Sequence, residues 1–255
     1  MIGAIIGDIV GSRFEFANHR SKDFQLFTSE CGFTDDTIMT MAVADALQTG
    51  CSFESSFRDF GKRYPHPMGG YGGSFARWLS TSGMPPYNSF GNGSAMRVSP
   101  VAMYYRKDSL EDVLTAARKT AECTHNHPEG IKGAQCVAHL IWSALNGADK
   151  DGLRDTAAGY YDIGGLTVGG IRKVNRFDET CQGTVPQSIV CVLEAVGFED
   201  AVRNAISIGG DSDTIGAIAG GIAEALFGIP EDITAQAMGY LTDEFKDIIR
   251  NEYAL

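Results

Sequence analysis

Residues 209–227 read GGDSDTIGAIAGGIAEALF, and this stretch determines how the rest of the chain is interpreted. Apolar residues recur at helical spacing from Ile215 to Leu226, which predicts a buried helix beginning near Asp213. Two carboxylates, a threonine hydroxyl and a Gly-Gly lead-in stand at its N-terminus. One aspartate would serve as a helix cap and suit the helix dipole. Capping explains neither the second carboxylate nor the glycines, and a site for a hard cation such as Mg²⁺ or Mn²⁺ is the alternative.

A second stretch, Thr34-Asp35-Asp36-Thr37, repeats this pattern before residues 38–47, which are apolar almost all round and predict a central buried helix. Capping is again the simpler explanation for this stretch alone. If the two helices pack together, however, four carboxylates meet, and like charges at short range cannot all stay ionised. Divalent cations would relieve that repulsion, and four carboxylates exceed what one Mg²⁺ usually takes. The pair of stretches therefore predicts a site for two metals, which could also orient a ligand.

The remaining segments indicate an all-α protein, because strand alternation is nowhere convincing. Gly3, Gly7 and Gly11 recur every four residues in an apolar opening stretch, which places them on one helical face suited to a close helix contact. Further helices are predicted over residues 53–64, 74–80, 95–105, 109–123, 128–147, 153–160, 186–196, 199–207, 231–240 and 242–252. The rest of 148–185 predicts a loop that is functional or mobile. A single domain over 1–255 is expected.

The composition excludes several classes of protein. The chain has 32 acidic against 21 basic residues and a net charge of -11, which argues against nucleic acid or an acidic membrane surface as partner. No stretch reaches the ~18 apolar residues that span a bilayer, and Asp8 interrupts an opening run that lacks the basic start of a signal peptide. The six cysteines show no metal-ligand spacing, and Cys136 and Cys191 fall in apolar helical runs typical of buried free thiols. We expect a cytoplasmic protein with reduced cysteines.

Three further features each have two explanations. Gly91-Asn92-Gly93-Ser94-Ala95-Met96-Arg97 is a glycine-rich entry to a helix, suited to phosphate through exposed N–H groups, but a tight turn would explain it too. His125 and His127 precede a proline turn, where capping or core roles are more common than catalytic ones. Tyr71, among four glycines, is either an exposed stacking aromatic or, more commonly, a packed loop residue.

Five stretches resemble, in their order, the motifs of the ADP-ribosylglycohydrolase family. They are Gly7-Asp8-Ile9-Val10-Gly11-Ser12-Arg13-Phe14-Glu15, Phe33-Thr34-Asp35-Asp36-Thr37, Gly91-Asn92-Gly93-Ser94-Ala95-Met96-Arg97, Thr124-His125 and Gly209-Gly210-Asp211-Ser212-Asp213-Thr214. The resemblance extends from residue 3 to about 229. It implies an orthogonal multi-helix bundle, all-α, with two divalent cations, Mg²⁺ or Mn²⁺, in a cleft.

The resemblance also implies roles for individual residues. The metal ligands would be Thr34, Asp35, Asp36, Asp211, Asp213 and Thr214. Glu15 matches a glutamate near the metals, and Glu15 or Asp36 would be catalytic by handling the proton. The diphosphate loop would comprise Gly91, Asn92, Gly93 and Ser94, with Phe90 and His125 lining the same cleft. Gly209-Gly210 would let a ligand approach the backbone closely.

The implied activity is metal-dependent hydrolysis of the bond between C1″ of ADP-ribose and an acceptor side chain. The substrate would be ADP-ribose or an ADP-ribosylated protein, and a monomer is expected. The acceptor is open among arginine, serine, O-acetyl and nucleic-acid linkages, with arginine as the default by analogy alone. Two alternatives are a non-catalytic ADP-ribose-binding or structural protein on the same fold, and a metal-dependent phosphoester hydrolase that releases AMP or phosphate.

Overall fold

The structure, a computed structural model, describes residues 1–254, with side chains described to residue 251; the last residue of the predicted domain lies outside it. Over this range it has fifteen α-helices, a 3-10 helix at Ser12–Phe14 and two isolated β-bridges in place of a sheet. None of the described helices is long and apolar enough to cross a membrane. The helices are α1 (Ile2–Gly11), α2 (Asp35–Thr49), α3 (Phe53–Arg63), α4 (Gly73–Ser80), α5 (Gly93–Met96), α6 (Ser99–Tyr104), α7 (Leu110–Glu122), α8 (Pro128–Leu145), α9 (Lys150–Ala158), α10 (Val168–Val174), α11 (Cys181–Glu194), α12 (Phe198–Ser207), α13 (Ser212–Phe227), α14 (Glu231–Met238) and α15 (Asp243–Ala254).

Helices α1 and α13 pack backbone to backbone. A methyl group at Gly7 would lie 1.9 Å from the carbonyl oxygen of Gly216, and one at Gly220 would lie 2.0 Å from that of Gly3. These distances are far inside van der Waals contact, so only glycine permits the approach. The prediction that Gly3, Gly7 and Gly11 form one helix-packing face is confirmed.

Helix α13 runs through the middle of the bundle. Its residues from Ser212 to Ala223 are buried, and it packs against α1, α8, α11 and α12. Helix α2 is buried from Asp36 to Ala44, as the apolar pattern predicted. Cys136 and Cys191 are fully buried free thiols, also as predicted. The acidic starts of α2 and α13 therefore lie inside the protein rather than on its surface.

The predicted helix over 95–105 is wrong, because the chain forms two short helices, α5 and α6, instead. Pro100 has no N–H with which to bond the carbonyl of Met96, and its ring crowds that carbonyl. The Met96 carbonyl accepts from Thr40 Oγ1 at 3.5 Å. Helix α5 has only four residues, so its dipole is much smaller than the sequence interpretation assumed.

The expected loop in residues 148–185 is also wrong in part, because this segment contains α10 as well as the predicted short helix, α9. Helix α10 begins after Thr167, whose Oγ1 accepts from the Gly170 N–H at 3.0 Å. Two glycines in its first turn hid it from the sequence pattern. An irregular segment, 175–180, follows it and reaches the cavity described below.

Helix α11 begins at Cys181, five residues before the predicted start at Pro186. Thr180 caps it, since its Oγ1 accepts from the Gly183 N–H at 3.0 Å. Pro186 therefore lies inside the helix, where its missing N–H removes the one intrahelical hydrogen bond to the Gln182 carbonyl.

Candidate active site

A cavity of about 230 Å³ lies over the N-terminal ends of α2 and α13. Its walls bring together the two acidic stretches and the glycine-rich stretch, which are far apart in the chain. Of the residues predicted from the sequence, it is lined by Glu15, Asp35, Asp36, Gly91, Asn92, Gly93, His125, Asp211, Asp213 and Thr214. The sequence could name these residues, but only the fold shows that they share one cavity.

No side chain of the four paired aspartates caps a helix. The Thr34 hydroxyl caps α2 by accepting from the Asp36 N–H at 3.1 Å. Asp211 occupies the N-cap position of α13, but its side chain makes no capping bond there. Asp211 Oδ2 accepts instead from Asn92 Nδ2 at 2.6 Å. Capping by aspartate, the simpler explanation for both stretches, is therefore wrong, and the carboxylates are left for another role.

The carboxylates of the cavity fit divalent cations. Glu15, Asp211 and Asp213 each offer an oxygen, and these oxygens lie within 4.8 Å of one another. The Oδ1 atoms of Asp36 and Asp213 are buried without a hydrogen-bond partner among the described residues. A buried acceptor without a donor is costly, and a cation would supply the missing interaction. Because every donor is oxygen, the set suits Mg²⁺ or Mn²⁺ rather than a softer metal.

Thr214 connects the two acidic stretches across the helix contact. Its Oγ1 donates to Asp36 Oδ2 at 3.2 Å, and Thr34 Oγ1 lies 3.5 Å from the same oxygen. Asp35 is half-buried on the cavity wall. The acids thus form a pair on α2 beside the group of Glu15, Asp211 and Asp213.

Burial and, after it, crowding by like charges raise the pKa of the acids in the cavity. Burial raises the pKa of Asp213 well above its usual value, and the charges of Asp211 and Asp36 raise it further. Burial, followed by neighbouring carboxylates, likewise raises the pKa of Asp35 and Asp36. The same two causes, burial first, raise the pKa of Glu15 to about 7. A bound cation favours the ionised form of each acid, so cation binding and ionisation support each other.

Asp8 belongs to this site, although the sequence interpretation quoted it without a role. It is fully buried in α1, and its Oδ2 accepts from Thr34 N at 3.0 Å, Thr37 N at 3.1 Å and Thr37 Oγ1 at 2.5 Å. These bonds tie the start of α2 to α1. Burial raises the pKa of Asp8 to about 6. The available signal was a charged residue within an otherwise apolar helix.

The glycine-rich stretch lies against His125. A β-carbon at Gly93 would be 3.1 Å from His125 Nε2, and one at Gly91 would be 3.5 Å from it, so the glycines make room for the ring. His125 Nδ1 is hydrogen-bonded to Thr124 Oγ1 at 2.7 Å. Burial, followed by the charge of Arg97, lowers the pKa of His125 well below its usual value. The ring is therefore neutral at pH 7.

Three of the predicted site residues do not line the cavity. Ser94 is buried, and its Oγ donates to the Gly130 carbonyl at 2.7 Å. Thr34 is buried behind the cavity wall as the cap of α2. Phe90 is 45% exposed, and its ring packs against His127 with 5.3 Å between the centroids. Its side chain therefore lies outside the cavity lining.

The commoner explanations hold for His127 and Tyr71. His127 caps α8, because its Nδ1 accepts from the Glu129 N–H at 3.1 Å. Tyr71 is partly buried, and its hydroxyl donates to the Tyr64 carbonyl at 2.8 Å. Neither residue presents a free polar group to the cavity.

Gly209 and Gly210 have a different purpose from the one the sequence suggested. Their φ angles of +68° and +88° lie in the left-handed region, which favours glycine. A β-carbon at Gly210 would lie 2.7 Å from Asn175 Nδ2, and one at Gly209 would lie 3.0 Å from Asn18 Oδ1. The space beside these glycines is filled by protein side chains. The expectation that they admit a ligand is therefore wrong.

Glu179 and Arg97 line the cavity without having been predicted to do so. The Glu179 carbonyl accepts from the Asn92 N–H at 2.7 Å, which joins segment 175–180 to the glycine-rich stretch. Arg97 is buried, and its Nη2 donates to the Thr120 carbonyl and Thr124 Oγ1, each at 2.9 Å. No spacing in the sequence signalled Glu179, because the segment that carries it is irregular.

Comparisons with known proteins agree with this geometry. A family model described as ADP-ribosylglycohydrolase matches residues 1–254. The chain is 27% identical to the ADP-ribosylhydrolase ARH3 of Danio rerio, over all of this chain and 89% of that protein. It is 27% identical to the ADP-ribosylarginine hydrolase Tri1 of Pseudomonas putida (strain GB-1), over 90% of this chain and 70% of that protein. Human ARH3 is 25% identical over 94% of this chain and 88% of its own length.

A solved structure, an ADP-ribosylglycohydrolase-related protein complex, shares the fold. It matches with a TM-score of 0.74 at 24% identity, covering 99% of this chain and 96% of its own. The predicted fold class, an all-α orthogonal multi-helix bundle, is thereby confirmed. Taken with the match of the family model over residues 1–254, this identifies the chain as a hydrolase that belongs to the ADP-ribosylglycohydrolase family.

Proposed function

We propose that this hydrolase removes ADP-ribose from arginine side chains of proteins by metal-dependent cleavage of the bond at C1″. The observation that carries the proposal is the single cavity in which two acidic helix starts meet the Gly91–Gly93 stretch. One relative, Tri1, is named an ADP-ribosylarginine hydrolase, whereas the name of ARH3 gives no acceptor. The arginine acceptor follows the name of Tri1, and ADP-ribose hydrolysis follows the names of both relatives.

Two divalent cations, Mg²⁺ or Mn²⁺, would be held by carboxylate and hydroxyl oxygens at the starts of α2 and α13. The proposed ligands are Thr34, Asp35, Asp36, Asp211, Asp213 and Thr214. When bound, the cations would supply positive charge and Lewis acidity beside the ribose. The protein's own contribution is to fix these oxygens, through the Asp8 bonds to α2 and the Thr214 bond to Asp36.

The other end of the cavity would hold the diphosphate. Gly91, Asn92 and Gly93 line the cavity, and N–H groups in such turns bind anions. The Gly91 and Asn92 N–H groups donate to Ser89 Oγ and the Glu179 carbonyl, so the Gly93 N–H would be the one to bind the diphosphate. His125 supports the turn with a neutral ring. Ser94 would take part through its backbone, because its hydroxyl points to Gly130. Phe90 would border the bound nucleotide from outside the cavity.

Glu15 is the best-placed group for proton transfer. It is only half-buried at the cavity, so its carboxylate can exchange a proton with water, and in the metal-free protein burial and neighbouring carboxylates raise its pKa. In the reaction, the water oxygen bonds to C1″ while the bond from C1″ to the acceptor nitrogen breaks. One water proton passes to the Glu15 carboxylate and from there to the leaving nitrogen. Asp36, also predicted to be catalytic, is buried and bonded to Thr214, which suits a ligand better than a proton carrier.

The developing positive charge explains why so many acids are present. Cleavage at C1″ passes through an oxocarbenium-like transition state, which nearby carboxylates stabilise. Because these groups are held in place by the fold before the reaction, little reorganisation is needed when the charge appears.

A panel of defined conjugates tests the proposal. ADP-ribosyl-arginine, ADP-ribosyl-serine, O-acetyl-ADP-ribose and an ADP-ribosylated oligonucleotide would each be incubated with Mn²⁺, Mg²⁺ or EDTA, and the products identified by mass. We expect metal-dependent release of intact ADP-ribose and arginine, abolished in Asp213→Ala and unchanged in the exposed control Asp155→Ala. Preference for another conjugate would contradict the acceptor. Release of AMP or phosphate would indicate a phosphoester hydrolase, and binding without turnover a non-catalytic protein.

A further inference from the structure

Two exposed phenylalanines stack on each other beside the cavity. Phe16 is 74% exposed and Phe177 is 45% exposed, and their ring centroids lie 6.1 Å apart with 26° between the planes. We term this pair the aromatic platform. Large apolar side chains that are both exposed and contiguous mark interaction sites more often than isolated ones do.

Two asparagines fix the aromatic platform against the start of α13. Asn18 exchanges two hydrogen bonds with Gly210: its Nδ2 donates to the carbonyl at 2.9 Å, and its Oδ1 accepts from the N–H at 2.8 Å. Asn175 Nδ2 donates to the Gly209 carbonyl at 2.8 Å. The two turns that carry the rings are therefore both attached to the glycines preceding Asp211. These hydrogen bonds hold the aromatic platform in a fixed position beside the carboxylates.

The aromatic platform continues the wall of the cavity outward. Glu15 immediately precedes Phe16, Glu179 follows Phe177 by two residues, and both glutamates line the cavity. Under the proposed function, C1″ lies at the carboxylate end, with the diphosphate at the glycine-rich stretch. The acceptor bonded to C1″ must then extend out of the cavity past these glutamates, toward the two rings.

Two of the four cations in and beside these turns are already engaged. Arg20 donates to the backbone carbonyls of Arg172, Ile208 and Asn175, and Arg172 donates to Ser207. Lys173, in the last turn of α10, and Arg176, just after that helix, are exposed. None of the cation–π pairs formed by the described side chains uses either ring of the platform.

Among the described side chains, no cation forms an ion pair with the acids beside the aromatic platform. Glu15 and Glu179 face the cavity, and Asp178, between Phe177 and Glu179, is exposed and bonds only backbone among its described contacts. Aromatic faces attract cations, and a neighbouring carboxylate strengthens the attraction. The chemistry of this surface therefore suits an arginine or lysine side chain.

We propose that the aromatic platform binds a cationic side chain of the substrate polypeptide, close in sequence to the ADP-ribosylated residue. This inference builds on the proposed function, because it requires the acceptor to leave at the carboxylate end. The cation stacks on Phe16 and Phe177 with its charge toward Asp178 and Glu179. The enzyme then prefers acceptor segments that are basic, and the preference lies in binding rather than in bond cleavage.

Steady-state kinetics on matched substrates tests this inference. Wild type, Phe16→Ala and Phe177→Ala would be compared on free ADP-ribosyl-arginine and on peptides carrying the same linkage with basic or acidic neighbours. We expect wild type to favour the basic peptide. Each variant should lose about 3-fold to 10-fold in kcat/KM on that peptide through a higher KM, with no loss on the free conjugate. Phe16→Leu, which keeps apolar bulk without a ring, should show the same selective loss.

The control is Tyr105→Ala, which removes a ring from the Tyr104–Tyr105 pair at the end of α6, away from the cavity lining. It should leave kcat and KM unchanged on all three substrates. Equal losses on all three substrates would overturn the inference, because they indicate a general structural effect. So would an undiminished rate on the basic peptide, or a wild-type preference for the acidic peptide, which would assign the surface to Lys173 and Arg176. Good cleavage of the free conjugate without peptide discrimination defeats only this inference; no cleavage of the linkage defeats the proposed function as well.

Discussion

The glycine contact between α1 and α13 lies beside an acidic cluster that includes Asp8 on α1, Asp36 on α2 and Asp213 on α13, and the two regions are built by opposite rules. In the glycine contact, uncharged backbone meets backbone so closely that a methyl group at Gly7 would lie 1.9 Å from a carbonyl oxygen. In the acidic cluster, the Oδ1 atoms of Asp36 and Asp213 are buried without a donor among the described residues, and burial together with neighbouring like charges raises the pKa of each acid. One region stabilises the fold, and the other destabilises it in the absence of cations.

This contrast shows how the destabilised region can persist. Asp8 lies on α1 one residue after Gly7, and Asp213 lies on α13 three residues before Gly216. Asp8 and Asp213 therefore cannot move apart without separating the two helices whose backbones are interlocked. Functional sites often store unfavourable interactions that the surrounding structure outweighs. Here the close contact holds repelling carboxylates in a geometry ready for cations.

The largest effect should follow from disrupting the glycine contact. Gly7→Ala places a methyl group inside the Gly216 carbonyl, so the two helices must separate. We expect a loss of about 3 kcal/mol or more in the free energy of unfolding, since overpacking of this severity lies at the upper end of its range. Urea denaturation measures it, and Mn²⁺ affinity should fall together with stability.

A glycine in open space provides the control. Gly169 in α10 has no atom within 4 Å of the position a methyl group would take. Gly169→Ala should leave stability unchanged or raise it by up to about 1 kcal/mol, because alanine is the better helix former. If Gly7→Ala were as harmless as this control, the interlocked contact would not be holding the site.

Replacing one acid with an amide should lower Mn²⁺ affinity while raising the stability of the metal-free protein, whereas Gly7→Ala should lower both. Asp213→Asn removes a charge and a proposed ligand, so we expect Mn²⁺ affinity and turnover to fall at least about 100-fold. The metal-free variant should nevertheless be more stable than metal-free wild type by about 1 kcal/mol, because a buried acid that is costly either to ionise or to protonate has been replaced by a neutral amide. Titration with Mn²⁺ and urea denaturation in EDTA measure the two effects. If Asp213→Asn in EDTA were less stable than wild type in EDTA, the acidic cluster would not be destabilising the metal-free fold.

Much of the glycine contact could be predicted from the sequence, and less of the site. The four-residue spacing of Gly3, Gly7 and Gly11 shows the packing face directly, because helical periodicity turns spacing into geometry. The two acidic stretches were recognisable for the same reason, since each precedes a strongly apolar helix. Glu179 lies on irregular chain, where no period relates sequence to position. Its place at the cavity depends on a long-range bond from Asn92 to its carbonyl.

The errors have physical causes of the same kind. The interpretation of Gly209-Gly210 as space for a ligand was wrong because the residues that fill this space, Asn18 and Asn175, are distant in the chain. The aspartate caps were wrong because Thr34 is the competing cap, and propensity does not tell which neighbour accepts the N–H. The prediction of one unbroken helix over 95–105 was wrong because the Met96 carbonyl, which Pro100 cannot bond, accepts from Thr40 instead.

The acidic cluster, unlike the uncharged glycine contact, should make the stability of the protein depend on pH. The pKa of Asp8, raised by burial to about 6 from an ordinary 3.8, means that the folded protein binds a proton more tightly than the unfolded chain. The stability gained from this proton is complete below about pH 4 and is lost as the pH rises through about 6. Glu15, with its pKa raised to about 7, extends the loss toward neutral pH, although its partial exposure weakens it.

Metal-free protein should therefore lose on the order of 2 kcal/mol of stability between about pH 4.5 and pH 7.5, chiefly from Asp8 and its neighbours. Urea denaturation in EDTA across this range measures the slope. Excess Mg²⁺ or Mn²⁺ should flatten it, because cations stabilise the ionised acids. If lysine or arginine side chains paired with these carboxylates, stability would instead rise as the pH rises. That result would contradict the description of the acidic cluster.

The smallest and most local effect concerns how Glu15 is placed. Gly69 has a φ of +77°, and a β-carbon there would lie 2.5 Å from Glu15 Oε2. Gly147 has a φ of +91° with no atom within 4 Å of such a carbon, so it shares the backbone strain without the contact. Gly69→Ala and Gly147→Ala should each cost about 1 kcal/mol of stability. Only Gly69→Ala should also lower kcat, by about 10-fold, because it displaces the carboxylate from the reacting atoms.

The Gly69 substitution can be made specific to Glu15 by shortening the acid. In the double variant Gly69→Ala with Glu15→Asp, the carboxylate retreats from the added methyl group, so the two substitutions should lower kcat by less than the product of their separate effects. A methyl group that acted only by straining the loop would leave the effects independent, since Asp in place of Glu does nothing for the φ of residue 69. The coupling between these two positions thus tests whether the loop at 65–72 sets the position of the acid that proton transfer requires.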